Sequence, residues 1–98
     1  MADDDVLNDI VRLLEDNRYG KAREMLAVAL GNMRSPRAVD VLMDLLGDET
    51  LAGHAAIALG KLRASTGRDP LRALARRHPK EWVRTEAQKA IMAINNGL

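Results

Sequence analysis

His54 and His78 are the only imidazoles in this 98-residue chain, and it contains no cysteine. Nucleophilic catalysis would need one of them beside a hydroxyl and oriented by a carboxylate. Ser35 or Ser65 would have to supply that hydroxyl, and neither stands at a spacing that brings it to a histidine. A metal site fares no better. One helical turn beyond His54 lies Ala58, not a carboxylate, and a single imidazole is a poor ligand set. His78 is followed by Pro79. The lack of cysteine removes disulfides, thiolate metal sites and cysteine nucleophiles together. The residue types and spacings therefore predict no catalytic residue, no metal and no cofactor.

What remains is charge. Arg68, Arg72 and Arg76 recur every fourth residue, with Arg77 and Lys80 close by, which places a basic stripe on one helix face. Such stripes can bind phosphates, so nucleic-acid binding through the basic C-terminal half is one alternative function. Tyr19 and Trp82 are the only aromatic residues, so platforms for stacking bases are missing, and a solvated or protein-binding face is the expected role. The net charge of +1 conceals an asymmetry: residues 1–50 carry a net −5 and residues 51–98 a net +6. Elements stacked in chain order would give an acidic end and a basic end. That arrangement orients charged partners and favours head-to-tail or face-to-face association of copies.

The elements that must position these groups are helices. Apolar residues make up 47% of the chain and charged residues 30%, as in a soluble globular domain, and the length suits one domain. The apolar set is Ala, Leu, Val, Met and Ile without phenylalanine, and it forms no alternating β-branched runs. An all-α fold follows. No apolar stretch approaches the roughly 20 residues of a membrane span. Asp3, Asp4 and Asp5 make the amino terminus acidic, the opposite of a targeting peptide, so a cytoplasmic location without membrane contact is expected.

The apolar pattern repeats. Slides of 29 and then 61 positions superpose Ala22, Leu51 and Val83, then Leu26, Ala55 and Ala87, then Ala29, Ala58 and Ala90. The same slides superpose Leu30, Leu59 and Ile91, then Met33, Leu62 and Ile94. Within each run the spacing marks one face of a helix, and a period near 30 marks a stacked helical array. The pattern predicts helices over about 5–16, 20–33, 36–46, 50–63, a short one from Asp69-Pro70, and about 80–95. They pair as three hairpins, about 5–33, 36–63 and 69–95, in a single domain. Asp3 to Asp5 are expected to cap the first helix. The middle hairpin is three residues shorter between its helices, which should alter the local curvature.

The run Ala22-Arg23-Glu24-Met25-Leu26-Ala27-Val28-Ala29-Leu30-Gly31, continuing through Ser35-Pro36 to Leu42 and Asp48, resembles the HEAT repeat. It is most similar to the short variety of phycobilin lyase subunits. Gly53-His54-Ala55-Ala56-Ile57-Ala58-Leu59-Gly60 and Trp82-Val83-Arg84-Thr85-Glu86-Ala87 are similar too. The middle unit departs with Ala52 in place of arginine, and the last with Gln88 and Met92 in place of alanine and glycine. The resemblance implies a right-handed α-α superhelix. It implies a structural role for Arg23 and Arg84, bonding an aspartate such as Asp16 or Asp48, or a carbonyl, at a neighbouring turn. It also implies that non-core positions of the second, fourth and sixth helices line a groove. These are Lys21, Glu24, Met25, Val28 and Asn32, then Thr50, His54, Ile57 and Lys61, then Trp82, Glu86 and Lys89. Met25, Val28, Ile57 and Trp82 would form an apolar strip flanked by charge, the make-up of a protein hot spot. The expected function is a non-catalytic adaptor that binds another protein across this face. A chromophore-lyase-like subunit is the alternative that the resemblance itself suggests.

Overall fold

Apolar stripes at helical spacing bury themselves best against other helices, and the computed structural model shows that outcome. It describes residues 2–16, 18 and 20–96, with side chains from residue 5 onward. Among the described residues there are six α-helices and no strand. They are α1 (Ala2–Leu14), α2 (Gly20–Leu30), α3 (Pro36–Leu45), α4 (Ala52–Leu62), α5 (Arg68–Arg77) and α6 (Glu81–Asn96), with a 3-10 turn (Ser65–Gly67) leading into α5. Asn17 and Tyr19, in the first expected connector, lie outside the described residues.

Local sequence sets the boundaries. Pro36 opens α3 at a position where its missing N–H is not needed. Asp48 Oδ1 accepts the backbone N–H groups of Thr50 and Leu51 in the turn ahead of α4. The turn runs over residues 49–51, and α4 begins at Ala52 rather than near residue 50. The first helix differs as well. It begins at Ala2, which puts Asp3, Asp4 and Asp5 inside the first turn instead of ahead of it; the side chains of Asp3 and Asp4 lie outside the described set. At the other end, α4 stops on Arg63 in the left-handed conformation (φ 52°).

The helices form a slab measuring 33 × 31 × 16 Å over Cα atoms, a thickness that accommodates two helix layers at about 8–10 Å separation. The motif helices α2, α4 and α6 lie side by side, with α4 packed between the other two, while α1 packs on α2, α3 on α2 and α4, and α5 on α6. Leu7, Leu30, Leu42, Leu51, Leu59 and Leu71 are fully buried at the centre. Side-chain hydrogen bonds tie successive units together, and the second of them joins equivalent positions at the ends of α2 and α4. Arg37 Nη2 donates to Asn8 Oδ1 (2.8 Å), and Lys61 Nζ donates to Asn32 Oδ1, each pair 29 residues apart.

Glycines let the motif helices approach. A Cβ at Gly31 would stand 2.9 Å from the Ala58 methyl, and one at Gly60 would stand 2.8 Å from Ala90 Cα. Gly31 and Gly60 are equivalent positions, and so are Ala58 and Ala90. Each glycine therefore receives the alanine of the next unit. Met92, in the glycine position of α6, meets no further unit among the described residues and is 62% exposed. This also corrects one expectation about the row of large residues. Leu30 and Leu59 are fully buried, but Ile91 is only half-buried and Ile94 fills the interior of α6. No following motif helix is described to cover Ile91. At the opposite end Ala22 is exposed and Leu26 and Ala29 are half-buried, while their counterparts on α4 and α6 are buried.

Substituting Gly60→Ala is expected to lower stability by about 1–2 kcal/mol in urea unfolding, since overpacking outweighs the better helix propensity of alanine. Gly20→Ala, where an added Cβ meets nothing within 4 Å, is expected to stay within about 0.5 kcal/mol of the parent.

Candidate interaction face

Arg23 is the most buried charged residue among those described, at 7% exposure. It projects from the first turn of α2, which aims it at two helix ends that need partners. Its Nε donates to the Leu14 carbonyl at the end of α1 (2.8 Å), one of the acceptors a helix leaves unbonded at its C-terminus. Its Nη2 donates to Asp48 Oδ2 (2.8 Å). Asp48 thus joins α2 to the cap of α4. Burial alone would raise the Asp48 pKa, but the Arg23 guanidinium and the Leu51 and Thr50 N–H groups outweigh it and hold the carboxyl below its ordinary value. Asp16 does not share this guanidinium. It accepts from Arg18 instead, through Nε (3.0 Å), Nη2 (2.7 Å) and the backbone N–H (3.0 Å). A residue two positions away, able to donate from both backbone and side chain, takes the carboxylate before Arg23 can.

Arg84 repeats the theme with carbonyls. Its Nη1 donates to the His78 and Pro79 carbonyls (2.6 and 3.1 Å) at the turn between α5 and α6. In the middle unit the equivalent residue, Ala52, is fully buried and makes no such bond.

These anchors hold a face made by α2, α4 and α6. Met25 is 72% exposed, Trp82 44%, and Val28 and Ile57 are likewise open to solvent. Ile57, Lys61, Glu86 and Lys89 line one groove of about 340 Å³ between α4 and α6. Trp82 and Glu86 border the next hollow along α6. Lys89 Nζ stands 3.5 Å from Glu86 Oε1. Lys21, Asn32 and Thr50 are exposed, and Glu24 is half-buried.

The indole of Trp82 does not stand free. It lies over Gly53, where a Cβ would overlap the six-membered ring, and its edge meets the His54 ring at 5.6 Å between centroids and 76° between planes. His54 Nδ1 is enclosed and has no hydrogen-bond partner. The role of Gly53 did not emerge from the apolar pattern. Its signal was present, because Gly53 is the odd residue among Glu24, Gly53 and Thr85, just as Trp82 is the odd one among Lys21, Thr50 and Trp82.

The basic stripe is interrupted. Arg68 is half-buried, with Nε and Nη2 enclosed and unbonded, and Arg72 Nη1 lies 3.4 Å from Asp69, leaving Arg76 the clearly open member. No group of three or more metal-ligating residues occurs among the described residues, and no described helix is long and apolar enough to cross a membrane.

Two helices joined by a proline turn, with an arginine in the first and a capping aspartate after the second, make up the stretch from α2 to Asp48. Residues 22–48 match the PBS lyase HEAT-like repeat. The HEAT-like match holds Arg23, the close-packing Gly31 and Asp48 in one unit. That unit joins α2 to α3, whereas the hairpins drawn from the sequence join α1 to α2 and α3 to α4. No curated protein and no solved structure matches the chain. The HEAT-like repeat supports a protein-interaction or lyase-like repeat module.

Replacing Arg23 with alanine is expected to cost about 2–4 kcal/mol, because it strands the Leu14 carbonyl and removes the cation beside Asp48. The Asp48 carboxyl is held below its ordinary value, so its contribution is complete above about pH 4 and fades as pH falls through the folded-state value. In acid unfolding, Asp48→Asn should therefore start less stable at neutral pH and show a shallower loss below that point. An unchanged acid limb would contradict this assignment.

Proposed function

We propose that this chain is a non-catalytic interaction module that takes a segment of another protein across the face of α2, α4 and α6. The observation that supports this most is the half-open indole of Trp82, seated on Gly53 beside His54 on a two-layer helical support. An aromatic side chain fixed in this way has little conformational freedom left to lose on binding, and its exposed part offers apolar area to a partner. Met25, Val28 and Ile57 extend the apolar area, which mutual burial with a partner would stabilise. Lys61, Glu86 and Lys89 border the same groove and would govern orientation and association rate more than affinity. A cytoplasmic setting belongs to the same proposal.

The test uses the full chain with Trp82→Ala and Ile57→Asp, followed by circular dichroism and by cross-linking to whatever partner co-purifies in stoichiometric amount. Both variants should keep the parent helicity and lose at least about tenfold in partner affinity, a change of 1.4 kcal/mol. Arg72→Ala with Arg76→Ala should bind like the parent. Retained binding by both face variants would refute the proposal.

A further inference from the structure

The ends of the motif helices enclose a second surface, next to the apolar face. Arg34, Lys61 and Arg63 converge on a hollow of about 610 Å³ between the α2–α3 connection and the end of α4. Val39, Leu62 and Pro36 supply apolar wall, and among the described residues no carboxylate lines it. Among the described residues Lys61 bonds the neutral Asn32 side chain alone. Arg63 also lines the adjoining groove that carries Lys89. Cations are favoured near helix C-termini by the macrodipole, which accounts for one basic residue at one helix end. It does not account for three that meet around a shared hollow without a counter-charge.

Arg63 carries a second signal. Arg63 N donates to the Gly60 carbonyl (3.1 Å) and Ala64 N to the Leu59 carbonyl (3.1 Å), the bonding of a Schellman helix end. The residue at the turning point of that motif takes the left-handed conformation, and glycine occupies it most often because other residues are strained there. This chain places arginine at that point, with φ 52°, although glycine would fit the backbone better. The backbone need argues against arginine, and the surrounding cations argue that its side chain is the reason.

We infer that this hollow binds an acidic, aliphatic-bearing peptide segment of a partner protein, with carboxylates on Arg34, Lys61 and Arg63 and an aliphatic side chain against Val39 and Leu62. The inference rests on the protein-binding reading and names the chemistry of the partner. Lys61 and Arg63 also border the Ile57 groove, so the two surfaces are told apart by Arg34, which borders the hollow alone, and by Trp82, which lies away from it. Exposed arginine–carboxylate contacts are individually weak and salt-sensitive, so affinity comes from several contacts together with the aliphatic anchor.

The experiment is fluorescence anisotropy of the full chain with a labelled peptide of alternating glutamate and leucine. A lysine–leucine peptide and a single-stranded oligonucleotide serve as comparison probes. The glutamate peptide should bind, more weakly as salt rises, and the lysine peptide should not. Arg63→Gly should raise the melting temperature by a few degrees while weakening the peptide about fivefold, and Arg34→Ala with Lys61→Ala should weaken it about tenfold. Arg76→Ala with Arg77→Ala, an equal change in charge on α5, should leave binding unchanged. Arg63→Gly that stabilises the chain without weakening the peptide would overturn the inference, as would equal losses from the α5 pair. Tighter binding of the oligonucleotide than of the glutamate peptide would also overturn it, in favour of a nucleic-acid ligand. Peptide binding lost on Ile57→Asp but kept by the Arg63 and Arg34–Lys61 variants would overturn the hollow while leaving the Trp82 face standing.

Discussion

The contact on which the rest of this structure depends is a glycine of one motif helix set against an alanine of the next. At Gly31 with Ala58, and at Gly60 with Ala90, backbone meets methyl at distances that leave no room for another carbon. Such approach brings whole helix surfaces together, so many weak dispersion contacts form at once. The core residues are then small or medium in size, and no phenylalanine is needed to fill it. A long side chain at either glycine would push neighbouring motif helices apart. The third unit departs from the rule at Met92, where no further helix among the described residues has to fit.

Close packing alone does not fix how the turns sit. Arg23 supplies that second constraint by joining the end of α1 to the cap of α4 through Leu14 and Asp48. The pair is well placed because Asp48 also accepts two backbone N–H groups, which hold its carboxylate where the charge-assisted bond from Arg23 can form. Arg84 performs the simpler half of this task at the last turn. Together the glycine contacts and the arginine anchors hold the exposed face of α2, α4 and α6 in a fixed shape, and an interaction surface needs such preorganisation. The apolar face and the cationic hollow beside it both owe their placement to the same helix ends. Lys61 borders both.

Much of this was legible before any coordinates. Alanine, leucine and glycine recurring about every 30 residues predicted the helices and their stacking, while the resemblance to the HEAT repeat implied the open positions Met25, Val28, Ile57 and Trp82. The resemblance to the HEAT repeat further implied that Arg23 and Arg84 would bond neighbouring turns. Periodicity speaks to which residues share a face, so it placed the helices and their buried stripes well. It speaks poorly to which of two nearby carboxylates an arginine reaches, and Asp16 bonds Arg18 through local geometry that no period encodes. It also missed the hollow lined by Arg34 and Arg63, because those residues lie at helix ends, where the period breaks and the backbone turn decides direction. The seat of Trp82 on Gly53 escaped for a related reason: it depends on two residues that each break the repeat at different positions.

Solution NMR tests the central claim most directly, through nuclear Overhauser contacts between the glycine Hα protons and the alanine methyl groups. The account predicts strong cross-peaks from Gly31 to Ala58 and from Gly60 to Ala90, with none from Gly31 to Ala90. Absence of both expected contacts in a folded, helical sample would contradict it.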